Sequence, residues 1–221
     1  MPSSLTFAIG DIHGCHRALL EVLARCRDHA KSQDHRFVFI GDYVDRGPGS
    51  RAVIATLRDI ERSAPHNIVC LMGNHEDMML DAIDSGDPRW WLNNGGGDTL
   101  ESYGLRDPAS LPPDDIAWIR SLRLTFDDGK RFFVHAGVDP DFPLDAQPRE
   151  ALLWIRGKFH RAMRDYGRLI VHGHTPTRDA RPEVRPNRVN IDTGCVYGGL
   201  LTVAVFTDEA TAPVAFLTAP E

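Results

Sequence analysis

The chain has 221 residues, which suits one domain with a substantial hydrophobic core. Its 42% hydrophobic and 25% charged residues are typical of a globular protein, and no apolar run is long enough to span a membrane. With 25 Lys and Arg against 31 Asp and Glu, the net charge of −6 excludes a general basic field for nucleic acid. We expect one domain over residues 1–221 that binds neither nucleic acid nor membrane; its oligomeric state is open.

The four cysteines form no Cys-x-x-Cys pair and are expected to be small buried thiols. The first ten residues lack the basic start of a signal peptide and enter a strand pattern at once. Both features favour the cytoplasm as the location of the protein.

Three strand-turn-helix units are predicted in the first part of the chain. Their strands are Leu5–Ile9, Phe37–Ile40 and Asn67–Leu71, and each is followed by a polar turn and by apolar residues at helical spacing. Three such units in succession indicate a parallel sheet with crossover helices.

Prolines and glycines between Ser85 and Leu122 predict short helices joined by loops. Asp128-Gly129, between two apolar runs, predicts a β-hairpin. A helix around residues 150–155 and a strand over Leu169–His172 follow. The expected second antiparallel layer consists of final strands over Val189–Asp192, Leu200–Phe206 and Pro213–Leu217.

Five of the predicted strands end in a side chain that can bind metal, next to a glycine. The side chains are Asp11 and His13, Asp42, Asn74, His135, and His174. Ligands usually bind at the carboxyl ends of strands in α/β sheets, and Asp42 has two carboxylate oxygens that could bridge two ions. Mixed His, Asp and Asn ligands without thiolate suit first-row ions, and we expect two divalent cations, Mn²⁺ first, with Fe or Zn as alternatives.

Two metal ions about 3.5–4 Å apart can activate water and stabilise both sides of a phosphoryl transfer. The leaving oxygen then needs a proton, for which His75 is the candidate acid, with Asp45 placed to hold one of its ring nitrogens. Arg46 could bind phosphate oxygens through two parallel hydrogen bonds.

Five sequence blocks together resemble the signature of the phosphoprotein phosphatase (PPP) family of metallophosphoesterases, which have the calcineurin-like fold. The blocks are Gly10-Asp11-Ile12-His13-Gly14, Gly41-Asp42-Tyr43-Val44-Asp45-Arg46-Gly47, Gly73-Asn74-His75-Glu76, His135-Ala136-Gly137 and Gly173-His174-Thr175. The resemblance spans about Gly10 to Gly199 and is strongest to the small bacterial and bacteriophage lambda-type serine/threonine phosphatases. It implies an α/β fold in which two mixed sheets form a β-sandwich flanked by helices, with the site at the carboxyl ends of the strands.

The resemblance also implies residue roles. One ion would be held by Asp11, His13 and the bridging Asp42, and the other by Asp42, Asn74, His135 and His174. His75 would be the general acid paired with Asp45. Arg46 and Arg156 would bind phosphate, although Arg161, Arg164 and Arg168 compete with Arg156 for that role.

Two positions depart from the family pattern. Ala136 stands where the eukaryotic enzymes have a second glycine, which affects loop detail only. Thr175-Pro176 follow His174 without the second histidine of many nuclease and phosphodiesterase relatives, which favours the phosphatase branch.

Other residues keep two interpretations. His172 and Asp192 are either structural or hold neighbouring site groups by hydrogen bonding. Trp90 and Trp91 are expected to pack in the core rather than to form a substrate platform.

The predicted function is that of a metal-dependent phosphomonoesterase, a serine/threonine protein phosphatase in which a hydroxide bridging two metals attacks phosphorus. Its substrate would be a phosphoprotein or a small phosphoester. The alternatives are a symmetric bis(5'-nucleosyl)-tetraphosphate hydrolase and, more remotely, a catalytically silent metal-binding interaction module.

Overall fold

The computed structural model describes residues 4–221 of the chain. Within this range, ten strands form two five-stranded sheets. The strands are β1 Leu5–Ile9, β2 His35–Phe39, β3 Ile68–Cys70, β4 Thr125–Asp127, β5 Arg131–Val134, β6 Leu169–His172, β7 Glu183–Arg185, β8 Arg188–Asn190, β9 Leu200–Thr207 and β10 Ala215–Pro220.

Both sheets are mixed. The first has the order β10-β9-β1-β2-β3, in which β1, β2 and β3 are parallel and β9 and β10 are antiparallel to their neighbours. The second has the order β4-β5-β6-β8-β7, with β5, β6 and β8 parallel. The predicted hairpin is β4-β5, which pairs in antiparallel register.

Eight α-helices lie between the strands of the described range. They are α1 His16–Ala30, α2 Ser50–Ser63, α3 Asn74–Ser85, α4 Arg89–Trp91, α5 Gly97–Tyr103, α6 Pro113–Arg120, α7 Arg149–Trp154 and α8 Gly157–Arg161. A π-helical turn at Leu92–Gly96 joins α4 to α5. The short helices predicted for the middle of the chain are therefore confirmed.

The parallel strands are buried on both faces, which explains their nearly continuous apolar sequence. In β1, Phe7 and Ile9 pack in the cluster under α1 and α2, whereas Ala8 packs between the two sheets. The inter-sheet cluster includes Val38 of β2 and Phe133 of β5. Two mixed sheets packed in this way and flanked by helices confirm the predicted α/β architecture.

The expectation for the final strands was wrong in one respect. We predicted that they form a second antiparallel layer, but β9 and β10 extend the first sheet beside β1, and β8 lies parallel to β6 in the second. The residue pattern of a segment indicates that it is a strand, but not which strand it pairs with. The sheet to which each final strand belongs is therefore decided by tertiary structure.

All four cysteines are free and buried, as expected. Among the helices of residues 4–221, none combines the length and the apolar character needed to cross a membrane.

Candidate metal centre and active site

The six residues predicted to bind metal lie together at the carboxyl ends of five strands. Asp11 and His13 follow β1, Asp42 follows β2, and Asn74 follows β3 as the first residue of α3. His135 and His174 follow β5 and β6 in the other sheet. All six are at most 5% exposed. The site therefore lies where the carboxyl ends of the strands of both sheets come together.

Two groups of side chains in the described range offer converging ligand atoms that lie within 4.8 Å of one another. One group is His13, Asp42 and His75, and the other is Asp42, His135 and His174. Asp42 belongs to both groups through different oxygens: Oδ2 lies 3.4 Å from His13 Nε2, and Oδ1 lies 3.4 Å from His135 Nε2. This is the geometry that a bridging carboxylate requires.

Asn74 and Asp11 complete the cluster. Asn74 Oδ1 lies 2.8 Å from His135 Nε2 and 2.7 Å from His174 Nδ1. One oxygen of Asp11 accepts the backbone N–H of His174 at 2.9 Å, while the other is buried without a hydrogen-bond partner among residues 4–221. A buried, unpaired carboxylate oxygen is costly unless a cation or a donor reaches it.

The histidine tautomers fit a cation at this site. His13 Nδ1 donates to Val44 O at 2.9 Å and His135 Nδ1 donates to Ile40 O at 3.0 Å, so each Nε2 presents a lone pair. His135 Nε2 then faces the Asn74 and Asp42 oxygens, which are also acceptors. Acceptor atoms that converge in a buried pocket repel one another unless a positive ion lies between them.

Burial and the neighbouring histidines set the protonation states. Burial lowers the pKa of His13 to about 3 and of His174 to about 2, and it also lowers the pKa of His135, so all three favour the neutral form that metals bind. Burial alone would raise the pKa of Asp42, but the positive charge that the surrounding histidines carry when protonated outweighs burial and lowers that pKa, which favours the ionised carboxylate.

His75 and Asp45 form a buried pair beside Asp42. His75 Nδ1 lies 2.7 Å from Asp45 Oδ2, and the His75 backbone N–H donates to Asp42 Oδ1 at 3.0 Å. Burial would lower the pKa of His75, but the carboxylates of Asp42 and Asp45 outweigh it and raise that pKa. His75 therefore takes up a proton more readily than an ordinary histidine, and its ring contributes one atom to the first group of converging ligands.

Asp45 is itself fixed by residues far along the chain. Trp91 Nε1 donates to both of its carboxylate oxygens at 3.0 and 2.9 Å, and the Thr99 hydroxyl donates to Oδ1 at 2.7 Å. Trp91 is fully buried, so the prediction that it packs in the core is confirmed, but the same prediction was wrong for Trp90, which is 60% exposed. The sequence carried no signal for the Trp91–Asp45 bond.

Glu76 has a structural role that no local sequence pattern indicated. Its Oε2 accepts the backbone N–H groups of Asp42 and Gly73, both at 2.9 Å, and its Oε1 accepts those of Tyr43 and Val44 at 2.8 and 3.2 Å. Burial raises the pKa of Glu76 to about 7, and the backbone donors oppose that shift. One side chain thus ties the loop after β2 to the start of α3.

Five site residues that are not glycine have a positive φ, which is uncommon and strained for residues with a side chain. They are His13, Asp42, Asp45, Arg46 and His174, with φ between 46° and 74°. Gly41, at φ 104°, approaches the opposite loop so closely that a Cβ would lie 2.5 Å from Gly73 N. Strain of this kind concentrates at functional sites because the surrounding structure must hold it.

The two arginines predicted to bind phosphate both contact the cluster. Arg46 lies 2.7 Å from His13 Nε2 and Arg156 Nε donates to His174 Nε2 at 3.0 Å. Two of the competing arginines are engaged elsewhere: Arg164 donates to backbone carbonyls of Pro140 and Phe142, and Arg168 pairs with Asp127 at 3.0 Å. Arg156 is thus the candidate that reaches a histidine of the cluster.

His172 and Asp192 are buried beside the site. His172 stacks edge-on against Phe159, with ring centroids 5.0 Å apart, and its Nε2 has no partner among residues 4–221. Asp192 Oδ1 accepts the Gly194 N–H at 3.1 Å, and burial raises its pKa to about 7. Asp192 also raises the pKa of Asp11, so the two carboxyls interact electrostatically.

Comparison with known proteins agrees with this geometry. The family model of calcineurin-like phosphoesterases matches residues 6–198. The chain is 32% identical to serine/threonine-protein phosphatase 1 of Salmonella typhimurium over 90% of both chains. It is 30% identical to the asymmetrical bis(5'-nucleosyl)-tetraphosphatase PrpE of Anoxybacillus flavithermus, over 93% of this chain and 92% of the relative.

Among solved structures, the fold is similar to that of a candidate diadenosine tetraphosphatase, with a TM-score of 0.72 and 25% identity over 98% of this chain and 93% of the other. The family match is consistent with the buried groups of His and Asp that can bind metal. The chain therefore belongs to the calcineurin-like phosphoesterase family and is a hydrolase of phosphoric esters.

Proposed function

We propose that this protein is a two-metal phosphomonoesterase that acts on phosphoserine and phosphothreonine in proteins. The observation that carries the proposal is the buried His75–Asp45 pair beside Asp42, flanked by the guanidinium groups of Arg46 and Arg156. Hydrolysis of a phosphomonoester requires a proton for the alkoxide leaving group and positive charge near the free phosphoryl oxygens. A proton donor and two guanidinium groups at one site supply both.

The candidate ligands are Asp11, His13 and Asp42 for one ion and Asp42, Asn74, His135 and His174 for the other. Bound divalent cations would supply Lewis acidity, which activates water and offsets the charge on phosphate. Oxygen and imidazole ligands without thiolate suit Mn²⁺, Fe and Zn alike, and Mn²⁺ is the ion that we propose first. Elemental analysis of the purified protein, then reconstitution of chelator-treated protein with each metal in turn, tests this assignment.

The side chains of the protein divide the remaining work. Arg46 and Arg156 orient the phosphoryl group by binding its equatorial oxygens, and the forked guanidinium geometry suits this role. His75 donates the proton from Nε2 to the leaving oxygen, while Asp45 accepts from Nδ1 and fixes the ring. Trp91 and Thr99, which lie 46 and 54 residues after Asp45, hold its carboxylate, so the position of the acid His75 depends on a distant part of the chain.

A second candidate activity is hydrolysis of dinucleoside tetraphosphates. It is favoured by the relative named as an asymmetrical bis(5'-nucleosyl)-tetraphosphatase, which aligns over nearly its whole length. Symmetric hydrolysis of a bis(5'-nucleosyl)-tetraphosphate, the alternative predicted from the sequence, is the second possible reaction on this substrate.

One experiment separates the two candidates. With Mn²⁺ added, kcat/KM is measured in parallel on a phosphothreonine peptide and on diadenosine tetraphosphate. We expect the phosphopeptide to be hydrolysed at least as efficiently as the dinucleotide. A large preference for diadenosine tetraphosphate would overturn the phosphoprotein assignment, and its products would distinguish symmetric from asymmetric cleavage.

A further inference from the structure

A groove outside the candidate metal cluster begins one residue after His174. We name it the arginine groove; its walls include His160, Thr175, Thr177, Arg178, Arg181 and Arg185, and its volume is about 740 Å³. Thr175 adjoins His174, so their Cα atoms are about 3.8 Å apart. His160 lies one helical turn after Arg156, to whose carbonyl it donates at 3.0 Å. The groove thus starts beside both the cluster and the second phosphate-binding candidate.

The charge of the arginine groove is opposite to that of the chain, whose net charge is −6. Glu183 is occupied by Arg185 at 2.9 Å and Arg188 at 3.1 Å. Within residues 4–221, Arg178 and Arg181 have no carboxylate within 4 Å. Asp179, the remaining acid of the groove, accepts the backbone N–H of Arg181 at 3.3 Å. Two guanidinium groups are therefore free to bind an anion.

The same walls contain polar atoms that lack hydrogen-bond partners. The hydroxyl oxygens of Thr175 and Thr177 and the Nε2 of His160 are buried and unpaired among residues 4–221. These three atoms are shielded from solvent, so the direct contacts available to a ligand in the groove come from the exposed guanidinium groups of Arg178 and Arg181.

We propose that the arginine groove binds a second phosphate group of the substrate, next to the phosphate that is hydrolysed. This inference rests on the proposed function, since it assigns the groove to the part of the substrate that extends beyond the metals. Planar guanidinium groups match phosphate oxygens in charge and geometry. The volume lies within the range of sites for ligands larger than a single anion.

The test is equilibrium binding to chelator-treated protein, which needs no turnover. Fluorescein-labelled phosphothreonine peptides, with or without a second phosphoserine two, four or six residues to either side, are titrated by anisotropy. Adenosine 5'-tetraphosphate, in competition with the labelled peptide, tests whether the second phosphate can come from a nucleotide. The variant is Arg178→Ala/Arg181→Ala; the matched control, Arg62→Ala/Arg106→Ala, removes two exposed arginines that do not line the groove.

We expect at least one doubly phosphorylated peptide to bind about tenfold more tightly than the singly phosphorylated one, about threefold for each exposed ion pair. The R178A/R181A variant should lose this difference while the control keeps it, and hydrolysis of p-nitrophenyl phosphate by the metal-loaded variant should change less than twofold. Loss confined to the tetraphosphate would assign the groove to a nucleotide substrate. Equal binding of every probe by wild type and variant would overturn the groove assignment.

The two failures are distinguishable. If metal-loaded protein hydrolyses no phosphopeptide, the proposed function fails, whereas the anisotropy result still decides whether the groove binds phosphate.

Discussion

The substitution His75→Asn tests the proposed acid most directly. Asparagine can still hydrogen-bond to Asp45, which is also held by Trp91 and Thr99, so the loop geometry should survive while the proton donor is lost. Burial opposes protonation of His75, but the carboxylates of Asp42 and Asp45 outweigh it and raise the pKa, which favours the imidazolium that a general acid requires.

The magnitude depends on the leaving group. A positioned acid contributes about 10²–10⁴-fold when the leaving group is a basic alkoxide, equivalent to about 3–5 kcal/mol of transition-state stabilisation. p-Nitrophenolate leaves without a proton. We therefore expect H75N to lose at least about 100-fold in kcat/KM on a phosphothreonine peptide, but less than about tenfold on p-nitrophenyl phosphate.

The assay compares both substrates for wild type, H75N and the control His66→Asn, an exposed histidine outside the site. Metal content is measured on the same samples, because His75 also lies within ligand distance of His13 and Asp42. Full activity of H75N on the peptide would refute the acid role. Equal losses on both substrates together with loss of one ion would show that His75 is instead a metal ligand.

Three further predictions follow from the geometry of the site. Asp42→Asn should leave fewer than one bound ion per chain by elemental analysis and cut kcat/KM at least about 100-fold, because Asp42 is shared by both groups; two retained ions would contradict this. Glu76→Gln should lower the free energy of unfolding by about 3 kcal/mol in denaturant titration, since an amide cannot accept all four backbone donors, whereas exposed Glu101→Gln should change it by less than about 0.5 kcal/mol. Burial lowers the pKa of His172 to about 3. Below the unfolded value of about 6.5, the unfolded state therefore binds one more proton, and the free energy of unfolding decreases as the pH is lowered. From pH 6.5 to 5, His172 should lower the free energy of unfolding of chelator-treated protein by about 2 kcal/mol, measured by denaturant titration at each pH. His172→Gln should remove this part of the pH dependence; an unchanged pH dependence would refute the lowered pKa of His172.

Local sequence determined much of this protein. Apolar runs that end in glycine and a polar side chain located the strands and placed Asp11, Asp42, Asn74, His135 and His174 at their ends. This was possible because periodicity and turn chemistry act over a few residues, and because parallel strands bring their carboxyl ends to one edge.

Tertiary structure alone decided the rest. The place of β9 beside β1, the bond from Trp91 to Asp45 and the four backbone bonds of Glu76 all join segments distant in sequence, so no local pattern encodes them. The positive φ of Asp42 and Asp45 likewise depends on the packed loops around them, because isolated residues of these types would mostly avoid that conformation. Sequence thus specified the chemical groups, and long-range packing specified how they meet.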